Sequence, residues 1–92
     1  MRNRITEANL QAVVDRINRT LNAPMESWTV RPEGGTRANI GNYHLSHAYG
    51  RVSLEVMLSE GGAVKRVCGS STKRELYNEM FAFLEGLEVP RA

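Results

Sequence analysis

The apolar residues of this chain fall into two helical stripes with alternating runs between them. From Ile5 to Asn22, Leu10, Val13, Val14, Ile17 and Leu21 recur at helical spacing and define one narrow face. Arg16, Asn18 and Arg19 lie off that face and are expected in solvent. Thr6 is placed to cap the helix, with Ile5 and Leu10 as a hydrophobic staple across it. Asn22 followed by Ala23-Pro24 ends it. A second stripe, Leu76, Met80, Phe83, Leu84 and Leu87, predicts a closing helix that starts at Ser71 or Thr72. Thr72 with Glu75 gives a capping-box pattern, and Pro90 stops the helix.

Between the stripes the period drops to two. Val52, Leu54, Val56 and Leu58 alternate with Ser53, Glu55 and Met57, as in a strand with one buried face. Glu60-Gly61-Gly62 supplies a turn, and Val64 to Cys68 returns as the partner strand. Its phase is ambiguous: either Val64 and Cys68 or Ala63 and Val67 face inward. Upstream, Glu26 to Arg31 reads as a short strand and Pro32 to Gly35 as a turn. Arg37 to Leu45 reads as one strand whose phase breaks at Gly41, which predicts a bulge or kink there. Ser46 to Gly50 reads as a link. The expected fold is α+β: a helix, a three- to four-stranded antiparallel sheet and a helix, both helices packed on one sheet face.

Length adds that residues 1–92 make a single domain, with one core and no room for a deep enclosed active site. Dimerisation would bury more. The composition, 41% hydrophobic and 24% charged, is that of a globular protein, and no apolar run approaches a membrane span. Met1-Arg2-Asn3-Arg4 leads into polar residues rather than a signal-peptide core, so a cytoplasmic location is expected. Cys68 is the only cysteine and reads as a small apolar residue at a strand end.

The net charge is only +2, but it is unevenly placed. Residues 46–74 carry a local excess of +3 and residues 75–92 one of −3. Lys65, Arg66, Lys73 and Arg74 form the basic part. Cations in the first turn of a helix oppose its dipole by a few tenths of a kcal/mol, so Lys73 and Arg74 point to a use. With the backbone N–H groups of Gly69 to Thr72 they would suit a phosphate. The alternative is ordinary surface charge paired with Glu75 or Glu79.

A second candidate is the run from Asn42 to Gly50, which gathers Tyr43, His44, His47 and Tyr49. Such amphipathic groups serve protein interfaces and base stacking. The histidines, three apart on a strand, point to opposite faces and have no further ligand at metal spacing. Tyr77 and Phe81, at i and i+4 beside the core stripe, are either the core's edge or a third contact patch. No Gly-x-Ser-x-Gly elbow, phosphate loop or His-Glu-x-x-His helix occurs. The expectation is therefore a non-catalytic protein, without cofactor, metal or small-molecule substrate. It would bind a macromolecular partner: first a protein or a second copy through the aromatic and histidine residues, alternatively a nucleic acid through the basic four.

Two resemblances extend this. Arg37-Ala38-Asn39-Ile40-Gly41-Asn42-Tyr43-His44-Leu45-Ser46, Ala48-Tyr49-Gly50, the Gly61-Gly62 turn, Lys73-Arg74-Glu75-Leu76-Tyr77 and Phe81-Ala82-Phe83-Leu84 resemble a group of small uncharacterised proteins of phages and prophages. That resemblance implies a phage context and no particular chemistry. The order helix, three strands, helix is also similar in topology to double-stranded-RNA-binding domains. There a Gly-Ser and a lysine pair open the last helix and touch phosphates. Gly69-Ser70-Ser71 and Lys73-Arg74 match that placement, while Tyr77 stands where a third basic residue would fall.

Overall fold

The computed structural model describes residues 4–70 and 72–89. Met1 to Asn3, the helix-start candidate Ser71, which is one residue of the Gly69 to Thr72 phosphate cradle, and the helix stop Pro90 lie outside the described residues.

The protein is α+β. Helix α1 (Glu7–Thr20) opens at Thr6, whose hydroxyl accepts the Asn9 N–H while the Asn9 side-chain oxygen accepts the Thr6 N–H. Helix α2 (Lys73–Glu88) opens at Thr72, whose hydroxyl accepts the Glu75 N–H. Strands β1 (Trp28–Val30) and β2 (Thr36–Ala38) form an antiparallel hairpin. Strands β3 (Tyr43–Ala48), β4 (Arg51–Met57) and β5 (Val64–Ser70) form a three-stranded antiparallel sheet with β4 in the centre. Both helices cover one face of that sheet. Leu10, Val13, Val14 and Ile17 of α1 meet Leu76, Met80 and Leu84 of α2 over Val52 and Leu54 of β4. Arg16 and Glu88 join the two helices through a bidentate ion pair at 2.9–3.0 Å.

The single strand expected over Arg37 to Leu45 is two strands in different sheets. Gly41, at φ 91°, is the corner between them. Side-chain amides hold that corner: Asn42 Nδ2 donates to the Pro24 carbonyl, and Asn39 Nδ2 donates to that of Glu26. The phase break was thus a change of sheet, which a bulge and a corner both produce in a sequence.

Asn18, expected in solvent, is 1% exposed. Its Nδ2 donates to the Tyr43 carbonyl and its Oδ1 accepts the Tyr43 N–H, at 3.0 and 2.9 Å. Tyr43 sits on the outer edge of the sheet, so the amide stands in for a neighbouring strand. Leu21, expected in the core stripe, caps α1 and is exposed.

The alternation of β4 also ends early. Val52 and Leu54 are buried, but Leu58 is 52% exposed and Met57 is buried instead. Leu58 lies past the end of β4, and the Met57 main chain is tied to Gly41 and Asn42 at the corner. Strand β5 has an irregularity of its own. Leu54 faces Cys68 and Glu55 faces Arg66, so Val67 is the extra residue of a β-bulge. The bulge turns both Val67 and Cys68 partly toward the core and leaves Val64 exposed, combining the two phases the sequence allowed. Met57 and Ala38 are buried outside the main cluster, where the β1–β2 hairpin docks. There the Ala38 N–H donates to the Glu60 carbonyl and the Trp28 ring lies against Gly62.

Candidate functional site

The segment expected as a link after Leu45 continues as strand to Ala48. Ala48 pairs with Arg51, leaving Tyr49-Gly50 as a two-residue turn. Both turn residues have positive φ, 54° and 73°, as a type I′ hairpin requires. Asparagine or glycine is favoured at the first position, and other L-residues pay about 1–2 kcal/mol there. Tyr49 is held in that conformation with its side chain fully in water, at 102% relative exposure.

The hairpin separates two depressions. The first lies on the sheet face opposite the helices and has a volume of about 270 Å³. Its floor is small because of register: Ser46 faces Ser53, and Ser53 faces Gly69. Tyr49, Arg51, Arg66 and Glu55 stand around it. Gly69 makes room for Arg66, since a Cβ on Gly69 would come within 3.0 Å of the Arg66 Cδ. The arginine stem therefore lies across the strand rather than away from it. The second depression, of about 520 Å³, runs along the other side of the hairpin past Glu7, His47, Arg51 and Lys73. Arg51 borders both.

The charges around these depressions are unevenly satisfied. Glu55 is 3.5 Å from His44 Nε2, and Glu7 is 2.6 Å from His47 Nε2. Among the described residues, Arg51, Arg66 and Lys73 make no ion pair. Each carboxylate of the site thus has a histidine beside it, while three cations face solvent.

The contact candidates read from the sequence do not form one surface. Tyr43 is partly buried against the core, its ring 6.0 Å from that of Phe83. His44 and His47 fall on opposite sheet faces, and both His44 nitrogens face side-chain oxygens, of Asn42 and Glu55. Only Tyr49 and His47 stand well exposed. Tyr77 and Phe81, with ring centroids 5.7 Å apart, line a separate groove between the helices with Ala12, Val13 and Arg16. Of the basic four, Arg66 borders the first depression and Lys73 the second. Lys65 pairs with Val56, so it points to the sheet face away from Arg66. Arg74 is exposed in the first turn of α2. Sequence reasoning missed Arg51. Its signal was its place directly after Tyr49-Gly50, at the closing position of a two-residue turn.

Cys68 is half-buried. Burial pushes its thiol above the ordinary value of 9.0, and the Glu79 carboxylate pushes it the same way. Because the thiolate is the reactive form, Cys68 in the native chain at neutral pH should alkylate with iodoacetamide more slowly than in the denatured chain. Equal rates would contradict the packing of β5 on α2.

Among the described residues there is no group of three or more potential metal ligands, and no helix is long and apolar enough to cross a membrane. Comparison with family models, curated proteins and solved structures returned no match.

Proposed function

We propose that this chain is a small non-catalytic accessory protein, of the phage type its sequence resembles, that binds a macromolecular partner through the Tyr49 hairpin and the depressions beside it. The observation that carries this reading is Tyr49 itself. It is a fully exposed aromatic ring fixed at a turn position where asparagine or glycine would be more stable. Among the described residues none packs on or bonds to the ring, which points to a use outside the fold. Tyrosine beside arginine is also the pairing that anchors binding surfaces. The larger depression is open to solvent, which suits a partner laid across it better than an enclosed small molecule. A protein partner was the first expectation from sequence. The cations that gather around Tyr49 weigh toward an anionic one.

The test separates folding from binding. Tyr49→Asn should raise stability by about 1 kcal/mol, because asparagine tolerates the left-handed conformation. In a domain of this size that is a rise in Tm of about 4–8 °C. The same variant should lose whatever protein or nucleic acid the parent retains from a cell lysate. A Tyr49→Asn protein that is more stable yet retains the same material would remove the hairpin from the binding surface.

A further inference from the structure

We infer that the partner is a single-stranded nucleic acid, with a base stacked on Tyr49 and its phosphates held by Arg51, Arg66 and Lys73. The inference rests on the binding-module reading above and names the partner class for the same site. Three observations converge. The first is charge: Arg51, Arg66 and Lys73 have no ion-pair partner among the described residues, whereas Glu7 and Glu55 each have a histidine. A polyanion can engage all three cations without displacing an existing contact. The second is spacing along the surface. Arg51 borders both depressions, Arg66 only the first and Lys73 only the second, so the cations follow a track that passes around the hairpin. A strand with one charge per nucleotide fits a track better than a point site does.

The third observation is the ring. Stacking on Tyr49 needs a base whose face is free, which a single strand offers and a duplex does not. The first depression is floored by the Ser46 and Ser53 positions, whose hydroxyls can donate or accept, so its polar contacts are tolerant of base identity. An acidic peptide would satisfy the cations but would leave the exposed ring and the hydroxyl-lined floor without a role.

The test is fluorescence anisotropy with labelled strands of about 12 nucleotides, a length within single-strand site sizes, and with a duplex of the same sequence. Salt is varied between about 50 and 200 mM. The parent should bind DNA and RNA single strands and prefer them to the duplex. Three phosphate contacts give a log–log salt slope of about −2 for a single strand. Replacing Arg51 and Arg66 by glutamine should reduce that slope by about 1.4. Tyr49→Asn should weaken binding by roughly 5- to 160-fold, the range for one base stack, with the slope unchanged. Lys65→Gln removes one charge that borders neither depression and should leave affinity within about twofold, as a surface change away from the contact does.

Equal affinity for strand and duplex, insensitive to Tyr49→Asn, would overturn the single-strand inference, as would a loss from Lys65→Gln equal to that from Arg66→Gln. No binding at the lower salt would overturn it too, and the lysate comparison then decides the broader reading. A protein retained by the parent and lost by Tyr49→Asn leaves the binding module standing with a protein partner. Nothing lost by Tyr49→Asn removes both.

Discussion

Leu54→Ala should cost about 3–5 kcal/mol, the range for truncating a fully buried leucine. Leu54 is completely buried at the centre of the central strand, with β3 and β5 on either side and both helices above it. It faces Leu45 on one neighbour and Cys68 on the other, so no single side chain can move in to fill the space. A 92-residue domain has a total stability of only about 5–14 kcal/mol, so this variant loses a large part of it. Urea denaturation followed by far-UV circular dichroism measures the loss as a lowered midpoint. Leu58→Ala is the matched comparison. Hydrophobic alternation puts Leu58 on the same stripe, yet it is half exposed beyond the end of β4, and its loss should cost less than about 1 kcal/mol. Equal costs at the two positions would mean that Leu58 is buried on the same stripe, and would contradict the end of β4 at Met57.

The second large effect is expected at a polar residue. Asn18→Ala should cost about 2–4 kcal/mol, because it removes two hydrogen bonds and leaves their partners unsatisfied. Both bonds run to the main chain of Tyr43, where β3 begins. Without the amide, the Tyr43 N–H and carbonyl have no strand beside them to take its place. The Tm should fall by roughly 10–30 °C at the usual conversion for a domain this size. Asn18→Asp is a sharper version. A carboxylate can still accept the Tyr43 N–H but cannot donate to its carbonyl, so it should restore part of the loss at most. If Asn18→Ala proved neutral, Asn18 would be the solvated residue that helical periodicity makes it.

These two positions show where the sequence was legible. Leu10, Val13, Val14 and Ile17, and then Leu76, Met80 and Leu84, announced the helices because each must present one apolar face to the same sheet. The Thr6 and Thr72 caps were equally local, each needing only a hydroxyl three residues before a free N–H. Asn18 was misplaced because periodicity scores the side chain and not its partner. Asn18 is buried because a backbone edge arrives to satisfy it, and that edge, at Tyr43, is 25 residues away. The place of the break at Gly41 was legible, but the single strand expected across it and the open phase of β5 have a related cause. A phase break in a sequence marks that something changes but not whether the chain kinks, bulges or leaves the sheet. The site was legible in part. Tyr49, Arg66 and Lys73 stood among the candidates, but on separate grounds. Only the register, which sets Ser46 against Ser53 and Ser53 against Gly69, shows that Tyr49 and Arg66 share a floor with Arg51, while Lys73 stands across the hairpin beside the second depression.

The central claim is that the contact surface lies at the Tyr49 end of the sheet and not at the helical groove of Tyr77 and Phe81. A ¹H–¹⁵N correlation spectrum of the labelled protein, titrated with a single-stranded oligonucleotide, tests it most directly. The account predicts shifts concentrated in Ser46 to Ser53 and at Arg66 to Gly69, with Lys73 the main response in α2. Shifts centred on Ala12, Arg16, Tyr77 and Phe81, with the hairpin silent, would contradict it.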